Sequence, residues 1–193
     1  MSNTLKIPES LQFYFENEQQ TSAIEQIIGS DKLPIGLTFE EVEQYHIAKI
    51  SALTTQLDYW RFMKELWEAT WGKALINSGY KEVDPDFYQD EYSMDYVWNN
   101  NFYKAYEYKG NTLTFSSYDS SENNGICLAF YVEAPDGGYE ISNNLELSEG
   151  WDKAVDDERD TLKGLELKGK TEIAIEPLIK LTEEAVSKLN NAL

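Results

Sequence analysis

A long apolar pattern at helical spacing, between residues 38 and 78, constrains this chain more than any other feature. Val42, Tyr45, Ile50, Leu53, Leu57, Trp60, Met63, Trp67, Trp71 and Leu75 follow one another mostly at steps of three or four. That spacing returns to one face of a helix. A second stripe, Tyr59, Phe62, Leu66, Ala69 and Ile76, widens the apolar arc of the later half and predicts a helix held between two layers. Thr38-Phe39-Glu40-Glu41 reads as a capping box that opens it, and Gly79 as its stop. The β-branched pair Thr54-Thr55 is the expected weak point.

The pattern then changes period. Residues 102–108 and 112–118 flank Lys109-Gly110-Asn111, and residues 126–134 and 139–141 flank Pro135-Asp136-Gly137-Gly138, both hairpin signals. Residues 145–147 continue the last strand, and 151–160 read as a short acidic helix opened by Trp151. Residues 165–175 alternate in places and read as strand; Pro177 then opens a final amphipathic helix reaching about Asn190. Its apolar side is Leu178, Ile179, Leu181, Ala185, Val186 and Leu189. Residues 1–36 read as a loosely organised opening, with one helical turn after Pro8 whose apolar face is Leu11, Tyr14 and Phe15, and a second turn over residues 23–28. The expected fold is α+β: an antiparallel meander of three to five strands packed against the long helix and the C-terminal helix. A single domain over 1–193 is expected, with 38–79 the long helix, 82–160 an acidic aromatic region and 161–193 a strand and helix.

Charge separates that acidic region from its flanks. The chain carries a formal −19, and residues 82–160 hold 19 of the acidic and 4 of the basic side chains, a balance of −15. Residues 1–81 stand at −4 and residues 161–193 are balanced. Nine of the thirteen tyrosines fall in the same acidic stretch. A field so concentrated steers basic partners and opposes direct contact with nucleic acid or an anionic membrane, which require Lys and Arg. No apolar run approaches the ~20 residues of a membrane span. One cysteine, Cys127, sits in an apolar run and reads as a small buried hydrophobe; with no internal disulfide possible, a reducing, cytoplasmic setting is expected.

Short motifs add little chemistry. Asp136 of Pro135-Asp136, with Glu166 and Lys168 of Glu166-Leu167-Lys168, matches the residue types of a PD-(D/E)xK nuclease site, where two carboxylates hold a divalent metal and the lysine positions water. The same residues are an ordinary turn and an ordinary amphipathic strand. Asp119, Ser121, Asn123 and Gly125 alternate as calcium ligands do, but an EF-hand needs glycine where Asn124 stands and glutamate where Phe130 stands. His46 and Cys127 cannot make a zinc site between them, and no nucleophile elbow or phosphate loop occurs. Glu107, Glu133 and Glu140 fall on expected strands, but among 35 acidic residues such pairs for glycoside hydrolysis are unavoidable.

The reading that absorbs most of these observations is a non-enzymatic binder that inhibits a basic partner, as an immunity protein or a phage or plasmid inhibitor of a defence nuclease would, partly mimicking nucleic acid. Asp84, Asp86, Tyr88, Asp90, Glu91, Tyr92 and Asp95 form its first expected contact patch. Asp152, Asp156, Asp157, Glu158 and Asp160 form the second. No cofactor and no metal are expected; the oligomeric state is open. The second reading is a metal-dependent nuclease, or an inactive relative of one, built on Asp136, Glu166 and Lys168.

Overall fold

The computed structural model describes residues 3–16, 23, 26–27, 36–83, 101–120, 125–133, 145–153, 160–162 and 165–193. Within them the chain is mixed α+β, with a long helix and a C-terminal helix around an antiparallel sheet.

The first elements are the strand β1 (Thr4–Lys6) and the helix α1 (Glu9–Glu16). Over these residues the opening is ordered into regular structure, contrary to the expectation of a loose segment. The reason is non-local: β1 pairs antiparallel with β9 (Glu172–Ala174), with Leu5 opposite Ile173. The ladder extends through Ile7 N–H to Thr171 O at 2.8 Å and Ile175 N–H to Asn3 O at 2.9 Å. Leu11, Tyr14 and Phe15 are buried on one side of α1, as their spacing predicts, and the rings of Tyr14 and Phe15 both meet Tyr59 at 5.7 Å.

The long helix α2 (Phe39–Ala69) begins at the expected capping box. Thr38 N–H donates to Glu41 Oε2 at 2.7 Å and Glu41 N–H to Thr38 Oγ1 at 3.3 Å. The Thr38 backbone N–H, and then the Thr38 hydroxyl, hold the Glu41 carboxyl below its ordinary value. No break occurs at Thr54-Thr55. Their hydroxyls donate back to Ile50 O at 2.9 Å and Ser51 O at 3.2 Å, so both are accommodated on an intact helix. The break falls instead at buried Thr70 (φ −112°, ψ −85°), followed by one further turn, α3 (Trp71–Ala74). Positive φ at Asn77 and Gly79 then redirects the chain.

The strands are β2 (Lys81–Glu82), β3 (Asn101–Tyr108), β4 (Asn111–Ser120), β5 (Gly125–Glu133), β6 (Trp151–Lys153), β7 (Asp160–Leu162) and β8 (Leu165–Glu166). All pair antiparallel, in the order β2-β3-β4-β5-β7-β6. β8 shares the β7 edge of β5, opposite Gly125 and Ile126. β3 and β4 are joined by the two residues Lys109 (φ 49°) and Gly110 (φ 85°), the doubly left-handed turn whose twist matches a tight hairpin.

Three sequence expectations change here. Residues 151–153 and 160–162 are strands, not the ends of a helix: the half-buried Trp151 ring lies 5.3 Å from Phe130 and 5.8 Å from Trp71, so core packing outweighs the helical reading. Residues 145–147 form no strand; Leu145 is buried and Ser148 N–H bonds Glu184 on the C-terminal helix at 3.0 Å. Residues 165–175 divide into β8 and β9 around Gly169 (φ 72°). The last helix, α4 (Glu176–Ala192), carries Pro177 in its first turn and buries Leu178, Thr182, Ala185, Val186 and Leu189.

The core lies between α2, α3 and one face of the sheet. On that face stand Tyr106, Leu113, Phe115, Ile126, Leu128, Phe130 and Val132, all buried. Trp71 is fully buried among Phe115 (5.0 Å) and Phe130 (5.9 Å). Three polar bonds pin helix to sheet: Trp67 Nε1 to Phe115 O (2.8 Å), Trp71 Nε1 to Ser116 O (3.0 Å) and Ser117 Oγ to Met63 O (2.9 Å). Two of them give the indole N–H groups of Trp67 and Trp71 a partner, without which burial would cost about 1–3 kcal/mol apiece.

Candidate functional site

Strand pairing decides which side chains share the second face of the sheet. Directly opposite residues point the same way. One row is Tyr103, Ser116 and Ala129; the next is Ala105, Thr114 and Tyr131; on the other side lie Tyr118 and Cys127. The face turned away from α2 therefore alternates three half-buried tyrosines with small residues, of which Ala105, Thr114, Cys127 and Ala129 are buried. These three tyrosines were not among the residues singled out from sequence. The signal was present in the period-2 alternation of residues 102–118 and 126–132, but only the register brings one tyrosine from each strand together.

The acidic segments attach at opposite edges of this sheet. Asp84, Asp86, Tyr88, Asp90, Glu91, Tyr92 and Asp95 lie outside the described residues; the chain enters their segment from β2, where Val83 N–H bonds Ala105 O at 3.0 Å, and leaves it at Asn101, the start of β3. Asp156, Asp157 and Glu158 also lie outside them. Asp152 and Asp160 are placed on β6 and β7, with Asp152 opposite Thr161 and Asp160 opposite both Lys153 and Phe130. From β2 to β6 there are five strand spacings, about 24 Å. The three central strands β3, β4 and β5 are eight to ten residues long, whereas β2, β6 and β7 have two or three, so the tyrosine-bearing face is deep only at its centre, where its small residues are buried.

Two described cations of β3 and its turn have partners nearby, Lys104 on the face toward α2 and Lys109 in the turn. Lys104 bonds Glu82 at 2.8 Å and stands 5.6 Å over the Trp67 ring. Lys109 lies 5.1 Å over the ring of Tyr108. A depression of about 450 Å³ at the β3–β4 turn, lined by Lys81, Glu107, Tyr108 and Lys109, carries mixed charge.

The residues of the second reading are distributed differently. Glu166 and Lys168 are exposed on either side of buried Leu167, but only Glu166 belongs to the strand β8, and Lys168 lies in the turn that follows, not on the expected amphipathic strand. Asp136 lies outside the described residues. Glu166 stands opposite Gly125, the first residue of β5, whereas Pro135-Asp136 follow Glu133, its last. Eight strand steps, about 27 Å, separate those two ends. Among the described residues, no three of His, Cys, Asp and Glu group so as to hold a metal ion. Asp119 and Gly125 of the calcium-like series belong to the β4–β5 ladder, opposite Ile126 and Ser120; Ser121 and Asn123 lie outside the described residues. Glu107 is exposed on β3, Glu133 closes β5, and Glu140 lies outside the described residues. His46 is exposed on α2, and Cys127 is buried as a free thiol. Among the described residues no helix is long and apolar enough to cross a membrane.

Comparison with protein-family models, with curated proteins and with solved structures returns no match to this chain.

Proposed function

We infer that this chain is a non-enzymatic binding protein that neutralises a basic, nucleic-acid-binding partner, with a nuclease toxin or a host-defence nuclease the partner class that fits. One observation carries this reading: a balance of −15 confined to residues 82–160 and interleaved with nine tyrosines. Carboxylates repeated along a rigid surface stand in for phosphates, and tyrosine supplies broad contact area at small entropic cost. The sheet supports the reading by giving those segments a stiff base, with Tyr103, Tyr118 and Tyr131 on one face between them. A cytoplasmic setting, drawn from the single cysteine, belongs to the same proposal.

The test uses purified nucleases of both kinds and two neutralised variants. One replaces Asp84, Asp86, Asp90, Glu91 and Asp95 by their amides; the other does the same at Asp152, Asp156, Asp157, Glu158 and Asp160. Association with the cognate nuclease is expected to slow by about tenfold or more between low and high salt, and to slow similarly in each variant. Duplex DNA is expected to compete for the nuclease. Unchanged affinity with both patches neutralised, or simultaneous binding of DNA and this chain, would sink the proposal.

A further inference from the structure

The helix α2 is apolar on two sides, one buried against the described core and the other largely exposed. Its buried residues Ala52, Tyr59, Phe62, Met63, Leu66 and Trp67 cluster on one arc. Phe39, Ile47, Ile50, Leu53 and Leu57, with Trp60 beyond them, are 42–78% exposed. At about 100° per residue this second stripe is centred roughly 150° from the first. Of the eight large apolar side chains that are exposed among the described residues, six belong to this one helix. Scattered single exposures are ordinary; a continuous stripe is a contact surface.

We propose that this stripe pairs with the same stripe of a second copy of the chain, the two α2 helices running antiparallel. Charge selects this occupant and this orientation. The N-terminal end of the exposed strip is acidic, with Glu40 and Glu43; its C-terminal end carries the exposed cations Arg61 and Lys64, 66% and 58% exposed, beside the exposed carboxylates Glu65 and Glu68. Among the described residues both cations meet loose partners on their own helix, Arg61 to Asp58 at 4.0 Å and Lys64 to Glu68 at 3.8 Å. A two-fold axis crossing α2 between Ile50 and Leu53 sets Ile50 against Leu53 of the second copy. It also brings Glu43 beside Arg61 of that copy, twice over. A parallel copy would set like charge on like, and would align rather than oppose the helix dipoles.

Area agrees. Covering these side chains removes roughly 600 Å² per copy, or about 1,200 Å² in all, the lower bound for a specific interface. The strongest charge does not stand in the way, because residues 1–81 carry only −4 of the −19. This surface is separate from the acidic segments, so the pairing stands whether or not the proposed function does.

Sedimentation of the full chain tests it. A species of twice 22.2 kDa is expected at about 100 μM. Ile50→Asp and Leu53→Asp, both at exposed positions, are each expected to weaken pairing at least about tenfold while the circular dichroism spectrum stays unchanged. Glu43→Arg alone and Arg61→Glu alone should each weaken self-association. A mixture of those two single variants should form a heterodimer more tightly than either pairs with itself, since both cross-copy contacts become opposite in sign. A chain that stays monomeric at that concentration overturns the proposal, as does a dimer indifferent to Ile50→Asp. Single charge variants that fail to prefer each other overturn it too.

Discussion

The indole N–H of Trp67, on the long helix, donates a 2.8 Å hydrogen bond to the carbonyl oxygen of Phe115 in the middle of the sheet. Helix and strand are thereby fixed in register by a polar contact inside an otherwise apolar seam, and Trp71 repeats the arrangement one turn later on Ser116 at 3.0 Å. Trp67→Phe keeps most of the ring and removes the donor. It is expected to lower unfolding free energy by about 1 kcal/mol, read from the midpoint of urea denaturation at constant slope. Trp71→Ala removes a fully buried ring as well and should cost about 3–5 kcal/mol. A Trp67→Phe protein as stable as the parent would show that the bond contributes nothing net.

Gly125 occupies a place where no side chain fits. A Cβ there would overlap the carbonyl oxygen of Leu165 and come within 2.8 Å of its carbonyl carbon, both backbone atoms of β8. Gly125→Ala is therefore expected to destabilise by about 3 kcal/mol or to expel β8 from the sheet. Gly110→Ala meets no atom and suffers only its positive φ, about 1 kcal/mol. Comparing the two variants in one denaturation series separates crowding from backbone strain; equal costs would contradict this.

Tyr80 lies with its ring 4.7 Å from that of Tyr108, tilted by 52°, with its hydroxyl buried and without a hydrogen-bond partner among the described residues. Burial, and then the neighbouring Tyr108, pushes its phenol above the ordinary value of 10.0. The folded chain thus holds this proton more tightly than the unfolded chain does. Its stabilising contribution is complete below pH 10.0 and is lost as pH rises from there through the raised folded value. Tyr80→Phe should leave neutral stability unchanged or raise it by up to about 1 kcal/mol, and should flatten the alkaline limb of a stability–pH curve. A loss of stability at neutral pH would reveal a bond to the hydroxyl.

Binding and nuclease readings separate on one pair of substitutions. Lys168→Ala and Glu166→Ala change exposed side chains, one in the turn after β8 and one on β8 itself, and each is expected to shift stability by less than about 0.5 kcal/mol and to leave partner affinity intact. Incubation of the parent with supercoiled DNA and magnesium is expected to leave the DNA intact. Cleavage that disappears in both Asp136→Ala and Lys168→Ala would replace the binding reading with the nuclease one.

What the amino-acid sequence revealed tracks how local the determining physics is. The Thr38–Glu41 box, the Lys109-Gly110 turn and Pro177 at the last helix each act within a few residues, and each appears where expected. The spacing of Ile50, Leu53, Leu57 and Trp60 correctly signalled a helix, but the expected placement between two layers does not hold there, since these four side chains are exposed. Periodicity measures whether apolar residues share a side, and only packing against Phe115 and Ser117 selects the side of Phe62 and Leu66. The β1–β9 pairing and the β6–β7 strands were invisible for a related reason: β1 finds its partner at the far end of the chain, and Trp151 is claimed by Trp71, far outside any local window. Of the site, the alternation in β3 to β5 contained Tyr103, Tyr118 and Tyr131, but gathering them required the register.

The pairing of Leu5 with Ile173 has a consequence for synthesis. A ribosome adding about 5–20 residues each second takes roughly ten to thirty seconds between the two strands. Throughout that interval β1 is made but unmatched, and α1, tied to it through Gln12 Nε2 and Ile7 O at 2.8 Å, has no anchored neighbour on that side. The nascent chain therefore carries an unsatisfied strand edge until its last helix begins to emerge. Slowing translation late in the message should lengthen that exposure and the chance of mispairing with another nascent copy.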